Sequence, residues 1–272
     1  MPVLEPLLKG LLYNWRRILD RYLLPGNEII YEIDLMLRGA ERHPELPKRN
    51  AEYAAVLQSE SDTEAATAEI GNLGLHSHPM DWKNWDHLRA LKTILDETQT
   101  NEAVLDAGGG RFSPLVEWLY LYGYHDLNAV NLAFDHSFAR GPIDYRAGDL
   151  TDTSYGDDYF GAIASLSVLE HGVPMKAAFE EFHRVLEPGG VLVLSTDYWP
   201  EKRDTGNEVT NYGDDTQQWE IFDDEELCMM LEIASETGFE VPEWNPTVPE
   251  DPPISFGGYD YTFAYAELYL PE

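Results

Sequence analysis

The chain opens with a clear helical period. Leu4, Leu8, Leu11, Trp15, Ile18 and Tyr22 recur at spacings of three and four, and Pro25-Gly26 ends the run. Asn27 then predicts the cap of a short second helix carrying Ile29, Ile30, Ile33 and Leu37, closed by Gly39. Pro44 and Pro47 mark a loop over 40–50. Residues 51–70 are rich in Ala and Glu and predict a helix ending at Gly71. Residues 84–97 predict another, with Asn84 as cap and Trp85, Leu88, Leu91 and Leu95 on one face. The first hundred residues therefore predict helices alone.

From residue 103 the pattern changes. Short apolar runs at 103–106, 128–132, 143–147, 160–168, 190–196, 239–241 and 259–270 alternate with helical periods at 114–122, 175–186 and 223–237. Asp223-x-x-Glu226 has the form of a capping box, and Gly238 closes its helix. Strands alternating with helices predict a parallel sheet with right-handed crossovers. The last run sets Tyr261, Phe263 and Tyr265 against Thr262, Ala264 and Ala266, a pattern suited to a half-exposed antiparallel edge strand. The expected fold is α/β: a Rossmann-like, doubly wound, seven-stranded sheet, mostly parallel with the last strand antiparallel. Residues 1–98 would be an N-terminal helical extension or lid, and 99–272 the α/β domain.

Composition narrows the partners. The 272 residues include 50 acidic against 18 basic side chains, a net charge of −32, with 43% hydrophobic. That is apolar enough for a real core and too apolar for a disordered acidic chain. A polyanion is repelled by phosphate backbones and anionic headgroups, so neither nucleic acid nor a membrane surface is expected. A neutral or cationic small acceptor fits the charge better. High-salt surroundings and an ordinary acidic protein both account for it. Cys228 is the single cysteine, so no intrachain disulfide forms. No apolar run approaches the ~20 residues of a membrane span, and the Glu5-bearing N-terminus lacks a basic signal region. A cytoplasmic protein is the expectation.

The chemistry gathers at Val104-Leu-Asp-Ala-Gly-Gly-Gly110. A strand ending in Asp and three glycines ahead of a helix is a ligand-binding turn of a doubly wound sheet. Its glycines let backbone approach a ligand closely, and helix amides behind it would face an anion. Tyr145-Arg-Ala-Gly-Asp149-Leu150 places an acid after the third strand, Leu169-Glu170-His171 follows the fourth, and Arg184-Val-Leu-Glu-Pro-Gly-Gly190 leads into the fifth.

In this order, the motifs resemble the class I S-adenosylmethionine-dependent methyltransferases, of the small-molecule kind called methyltransferase type 11. The resemblance covers residues 100–200 and extends more loosely to 270. It implies that S-adenosylmethionine is the cofactor. Asp106, Ala107, Gly108, Gly109 and Gly110 would form the turn holding its methionine half. Asn131 and Leu132 would meet the ribose, Asp149 and Leu150 the adenine, and Leu166 would line the same cleft. The family's ribose-clasping acid is replaced by Asn131, with Asp135 four residues on as a substitute, and the usual third glycine of the turn is Phe112.

Methyl transfer needs alignment and exclusion of water, and a base where the acceptor is a hydroxyl. The resemblance implies His171 as that base, with Glu170 beside it as a second catalytic candidate or a brace. Asp197, Tyr198 and Trp199 follow the fifth strand, where substrate loops lie. Residues 76–85 lead into the α/β region, and Pro79, Trp82 and Trp85 are candidates to line an acceptor pocket there. Asp81-Trp-Lys-Asn-Trp-Asp86 and the Tyr120–Tyr124 segment are similar to methyltransferases encoded with surface-polysaccharide enzymes, which points to a carbohydrate or small-metabolite hydroxyl. His76-Ser-His78 lacks companions at ligand spacing and is expected to be a solvated loop, so no metal is expected. Lys9, Arg16, Arg17 and Arg21 form a basic cluster on the first helix. Two other readings stay open: a methyltransferase-like binding or regulatory protein without turnover, and a nicotinamide-dependent oxidoreductase.

Overall fold

The computed structural model describes residues 27–42, 44–205, 209–212, 215–245 and 247–272. The stripe over 3–24 and its basic cluster lie outside these residues. The helices are α1 (Glu28–Leu37), α2 (Glu60–Asn72), α3 (Lys83–Glu97), α4 (Leu115–Leu121), α5 (Met175–Val185) and α6 (Asp224–Glu236). The parallel strands are β2 (Ala103–Ala107), β3 (Leu127–Asn131), β5 (Ile143–Ala147), β6 (Phe160–Leu166) and β7 (Leu186–Tyr198). Added to them are β1 (Ala54–Val56), β4 (Phe138–Arg140), β10 (Ile254–Phe256) and β11 (Tyr259–Tyr269), and a separate hairpin of β8 (Val209–Tyr212) and β9 (Asp215–Gln218).

Among the described residues the main sheet has nine strands, in the order β1-β11-β7-β6-β2-β3-β5-β4, with β10 paired to β11. From β2 the chain moves outward to β3 and then returns to β6 on the other side, so the sheet reverses its winding at β2. Parallel pairing covers β2, β3, β5, β6 and β7, and β11 runs antiparallel to β7. The α/β expectation is met, but three sequence expectations are corrected.

First, residues 51–58 do not begin a helix. Ala54–Val56 pairs antiparallel with Ala264–Ala266, and α2 starts only where Ser59 caps it by accepting from the Asp62 amide. Small side chains beside Ala264 and Ala266 let the strands meet, and pairing overrides the helical bias of alanine. Second, β11 is not an edge strand. It lies between β7 and β1 and is buried from Tyr261 to Leu268. Its alternation separates two covered faces: Tyr261, Phe263 and Tyr265 join one core cluster, and Ala264, Ala266 and Leu268 the other. Third, residues 239–241 make a single bridge, Glu240 to Tyr269, and form no strand.

The helices differ in detail too. Asn27 caps α1 as expected, yet the helix buries Tyr31 and Leu35 while Ile29, Ile33, Met36 and Leu37 are exposed among the described residues. Asn84 lies inside the first turn of α3, not at its cap; its amide accepts from the His78 N–H at 2.8 Å and donates to Thr67 Oγ1 at 3.0 Å. The Asp223 capping box is present in full. No described helix is long and apolar enough to cross a membrane.

A buried ionic cluster ties α1 and the loop before α3 to the sheet. Glu117 on α4 accepts from Arg140 at 2.8 Å and Arg38 at 2.7 Å, and His76 Nε2 lies 2.9 Å from it. His76 is therefore not in a solvated loop. Nor is His78, which is buried.

Candidate functional site

The parallel strands end along one side of the sheet, and a cavity of about 630 Å³ opens there. That volume falls within the roughly 300–1,000 Å³ of small-molecule sites, and the place is where open α/β sheets bind ligands. The wall is built from strand ends: Asp106 and the glycines after β2, Asn131 and Leu132 after β3, Gly148 and Leu150 after β5, and Leu166 to Val168 after β6. The segment before and into α3 closes the remaining side with His78, Pro79, Met80, Lys83 and His87.

The glycine turn is held by its surroundings. Gly108 has φ +88°, and a side chain there would meet Val168 at 2.5 Å. A Cβ at Gly109 would lie 2.2 Å from the Asp106 carboxyl, whereas at Gly110 it meets nothing within 4 Å. Asp106 is buried and accepts from Ser113 Oγ at 2.6 Å; burial pushes its carboxyl above the ordinary range despite that bond. The turn does not run straight into a helix. Residues 111–114 intervene, α4 begins at Leu115 behind Pro114, and the helix has seven residues, so the expected helix amides are set back from the glycines.

Asn131 Nδ2 donates to the Gly108 carbonyl at 2.5 Å, and its Oδ1 accepts from Ala133 N at 2.8 Å. An acid could not make the first bond, which gives a physical reason for the amide at this position. Asp135 is not placed to substitute: it does not line the cavity and pairs with Arg111 at 2.8 Å and His136 at 2.9 Å. Asp149 is exposed and accepts from Thr151 N and Oγ1, while its neighbours Gly148 and Leu150 reach the cavity. Ala107 is wholly buried behind the turn.

At the end of β6, Ser167 takes φ +52°, a strained conformation for a side-chain-bearing residue, and lines the cavity. Its buried Oγ has no hydrogen-bond partner among the described residues. His171 follows on a 3-10 turn and also lines the cavity. Its Nδ1 lies 2.9 Å from the Gln218 carbonyl, so the neutral ring carries its proton there. Burial holds His171 below the ordinary histidine value, partly offset by Asp197 and the Gln218 carbonyl.

Glu170 is not on the cavity wall. It is fully buried, with Thr196 Oγ1 donating at 3.2 Å and the Asp197 amide at 3.3 Å. Burial pushes Glu170 up to about 7, and burial together with Glu170's charge brings Asp197 to about 7 as well. Asp197 accepts from Trp219 Nε1 at 2.7 Å and borders a small recess with Trp82, Lys83, His171 and Trp219. Three expected substrate residues lie elsewhere. Trp85 packs edge-on against Tyr265, Tyr198 bonds Asp224 and packs on Trp244, and Trp199 carries Arg203 on its ring. Each faces its own side of the core because helix and strand periods turn it away from the strand ends.

Met80 and Lys83 lie in the 76–85 stretch that the sequence offered as a lid or acceptor pocket, whereas sequence reasoning missed His87, Arg111, Ser113, Phe134, Ser167, Val173 and Gln218. His87 had a signal. It falls on the buried stripe of α3 between Asn84 and Leu91, where an apolar residue is expected. Asp86 beside it is fully buried and accepts from His87 Nδ1 at 2.8 Å and Ser195 Oγ at 2.7 Å.

Residues 105–194 match the family described as "Methyltransferase domain". Over that span, from β2 into β7, the chain is similar to the class I S-adenosylmethionine-dependent methyltransferases. S-adenosylmethionine is the cofactor of that family. No curated protein matches the chain. Among solved structures, Haemonchus contortus phosphoethanolamine N-methyltransferase 2 in complex with S-adenosylmethionine shares 14% identity with a TM-score of 0.50, over 79% of this chain and 58% of that one. An S-adenosylmethionine dependent methyltransferase from Mesorhizobium loti shares 16% over 69% and 97%, TM-score 0.47. Burkholderia thailandensis 1,6-didemethyltoxoflavin-N1-methyltransferase shares 16% over 86% and 100%, TM-score 0.46. Among the described residues, no group of three or more His, Cys, Asp or Glu is placed to hold a metal ion.

The cavity suits the family's cofactor on its own terms. It offers an open glycine turn, apolar walls from Leu132, Leu150 and Leu166, and an unsatisfied hydroxyl at Ser167. A buried hydroxyl without a partner costs about 1–3 kcal/mol unless a ligand supplies one.

Proposed function

We propose that this chain transfers a methyl group from S-adenosylmethionine to a small-molecule acceptor at the cavity over the strand ends. The observation that carries the reading is the joining of glycine turn, strained Ser167 and imidazole side chains on one wall. When bound, S-adenosylmethionine supplies a sulfonium methyl that passes in line to an acceptor lone pair, the S–C pair leaving on sulfur.

Asp106, Gly108, Gly109 and Gly110 hold the methionine end, Asn131 and Leu132 the ribose side, and Gly148 and Leu150 the adenine side. Asp149 braces that last loop through Thr151. Ala107 acts from behind by filling the core under the turn. Leu166 and Val168 exclude water, which the transfer requires. The loop from His78 to Lys83 closes the acceptor end as a lid, with Trp82 and Asp197 in the recess behind it. His171 orients the acceptor, and Glu170 supports Asp197 rather than touching ligand. A hydroxyl acceptor, a carbohydrate or other small metabolite, gives the imidazoles a task, since a hydroxyl must lose a proton and a neutral amine lone pair need not.

Calorimetry with S-adenosylmethionine and S-adenosylhomocysteine, followed by transfer of labelled methyl to a panel of small hydroxyl and amine compounds, tests the reading. Binding plus transfer supports it, and absence of binding overturns it. One observation favours a second reading, binding without turnover: both polar ends of Asn131 are engaged within the turn, leaving no carboxylate at the end of β3. Tight binding with no transfer across the panel selects it.

A further inference from the structure

The cavity holds two imidazoles that could take a proton from an acceptor, and the structure equips them differently. His171 gives its Nδ1 proton to a neutral carbonyl, Gln218. His87 has its Nδ1 2.8 Å from the buried Asp86 carboxylate, which also accepts from the His87 amide at 2.7 Å. Burial pushes Asp86 up, but His87, Lys83 and the Ser195 hydroxyl outweigh it and hold the group below the ordinary carboxylate range. An ionised carboxylate behind an imidazole fixes the Nδ1–H tautomer and stabilises the imidazolium once it forms; a carbonyl does only the first well.

The carboxylate is itself anchored at the cavity. Ser195 Oγ donates to Asp86 Oδ2 at 2.7 Å and accepts from the Ser167 amide at 3.1 Å. The strained residue at the end of β6 is thus connected through Ser195 and Asp86 to His87. The titratable groups around the His87 ring are Asp86 and Lys83 on its own helix, His78 in the loop before it, and Asp106 at the end of β2. The His78 and His87 ring centres are 5.1 Å apart. Nδ1 faces the buried carboxylate, so the opposite edge of the ring, with Nε2, is the one turned to the cavity that His87 lines. A buried carboxylate on a helix is expensive to keep for packing alone, since an apolar residue of similar size would serve as well.

We propose that His87 is the general base of this enzyme and Asp86 its positioning partner, a role that rests on the methyl-transfer reading above. The acceptor's O–H proton moves to His87 Nε2, and the O–H bonding pair stays on the oxygen that attacks. The imidazolium, paired with Asp86, then returns the proton to water. His171 keeps its orienting role.

The test has two arms. In the protein alone, 15N-correlated spectra of the histidine rings are expected to show His87 as the Nδ1–H tautomer at neutral pH, and Asp86→Asn to lose that preference. In turnover, on whichever panel compound the wild type methylates, His87→Gln and Asp86→Asn are expected to lower kcat by at least about 100-fold, within the range for general-base catalysis. The KM for S-adenosylmethionine should stay within about threefold. His87→Ala should regain activity on adding imidazole, which a packing role would not allow. Melting curves identify any variant that fails to fold; His87→Gln then carries the test, because its amide can keep one bond to Asp86. A His87→Gln kcat within about twofold of wild type, with the acid limb of the pH profile unchanged, overturns the proposal and leaves the reading standing. Cofactor binding with no wild-type transfer overturns the reading, and this proposal with it.

Discussion

Glu170 offers a sharp test of how the wall behind the cavity is built. It is wholly buried, its two oxygens accept one hydroxyl and one amide, and burial moves its carboxyl from 4.5 to about 7. Because the folded value is the higher one, the folded chain binds more protons than the unfolded chain between those limits. The stability Glu170 contributes is complete below about 4.5 and is lost as pH rises through about 7. At 1.36 kcal/mol per decade, ionising this side chain in place costs about 3 kcal/mol at pH 8.

Glutamine copies the protonated form. Its carbonyl accepts from the Asp197 amide, and its NH₂ faces Thr196 Oγ1, which turns to accept. Glu170→Gln should therefore match the wild type at pH 4 and exceed it at pH 8 by about 2–3 kcal/mol. Removing the like charge also lets Asp197 ionise at less cost. Urea unfolding at pH 4, 6 and 8, followed by fluorescence of the buried Trp118 and Trp219, measures the difference. A variant destabilised equally at all three values would show that the carboxylate is ionised and anchoring, and would refute the account. Since Glu170 lies off the cavity wall, the same variant should keep its affinity for S-adenosylmethionine.

Other substitutions probe the turn and the core. Gly109→Ala forces the Asp106 carboxyl to move and should cost about 2 kcal/mol, whereas Gly110→Ala should be neutral or gain up to about 1 kcal/mol; equal melting shifts would contradict this. Asn131→Asp sets a carboxylate against the Gly108 carbonyl, with an expected loss of about 1–2 kcal/mol and weaker cofactor binding by calorimetry. Arg140→Met leaves Glu117 with one partner fewer in a buried setting, an expected loss of about 3 kcal/mol, much of it recovered in the double variant with Glu117→Gln. Additive effects in denaturant would mean the two side chains act independently.

The parts of the fold set by local pattern were legible in the sequence. The strands at 103–107, 127–131 and 143–147, the helix after Asp223 and the glycine turn between sheet and helix all follow from period, capping and turn chemistry. What pattern could not supply was the company each segment keeps. The alternation of β11 reads as wet against dry, but it sorts large from small between two packed layers. Ala54 and Ala55 have the composition of a helix and become a strand because this segment pairs with β11, where Ala266 and Ala264 lie opposite Ala54 and Val56. For the site the division is similar. Glycines and strand-end residues declared themselves by spacing, and His87 could have done so by its place on the buried stripe of α3, whereas Asp86 and Ser167 owe their interest to burial, an ion pair and a positive φ, which no spacing encodes.

Net charge shows the same division between global and local. The chain has 50 acidic against 18 basic side chains, which repels polyanions approaching from outside. The cavity differs: by the same count Lys83 and Arg111 line it against one carboxylate, Asp106, which burial pushes up, and three histidines, His78, His87 and His171, stand beside them. Screening removes most influence of surface charges beyond about 8 Å at physiological salt, so a bound acceptor responds to the lining and not to the total. The net charge of the whole chain therefore does not set the charge at the cavity. The imidazoles are what distinguish the lining, and under the proposed reading they suit an acceptor that must give up a proton.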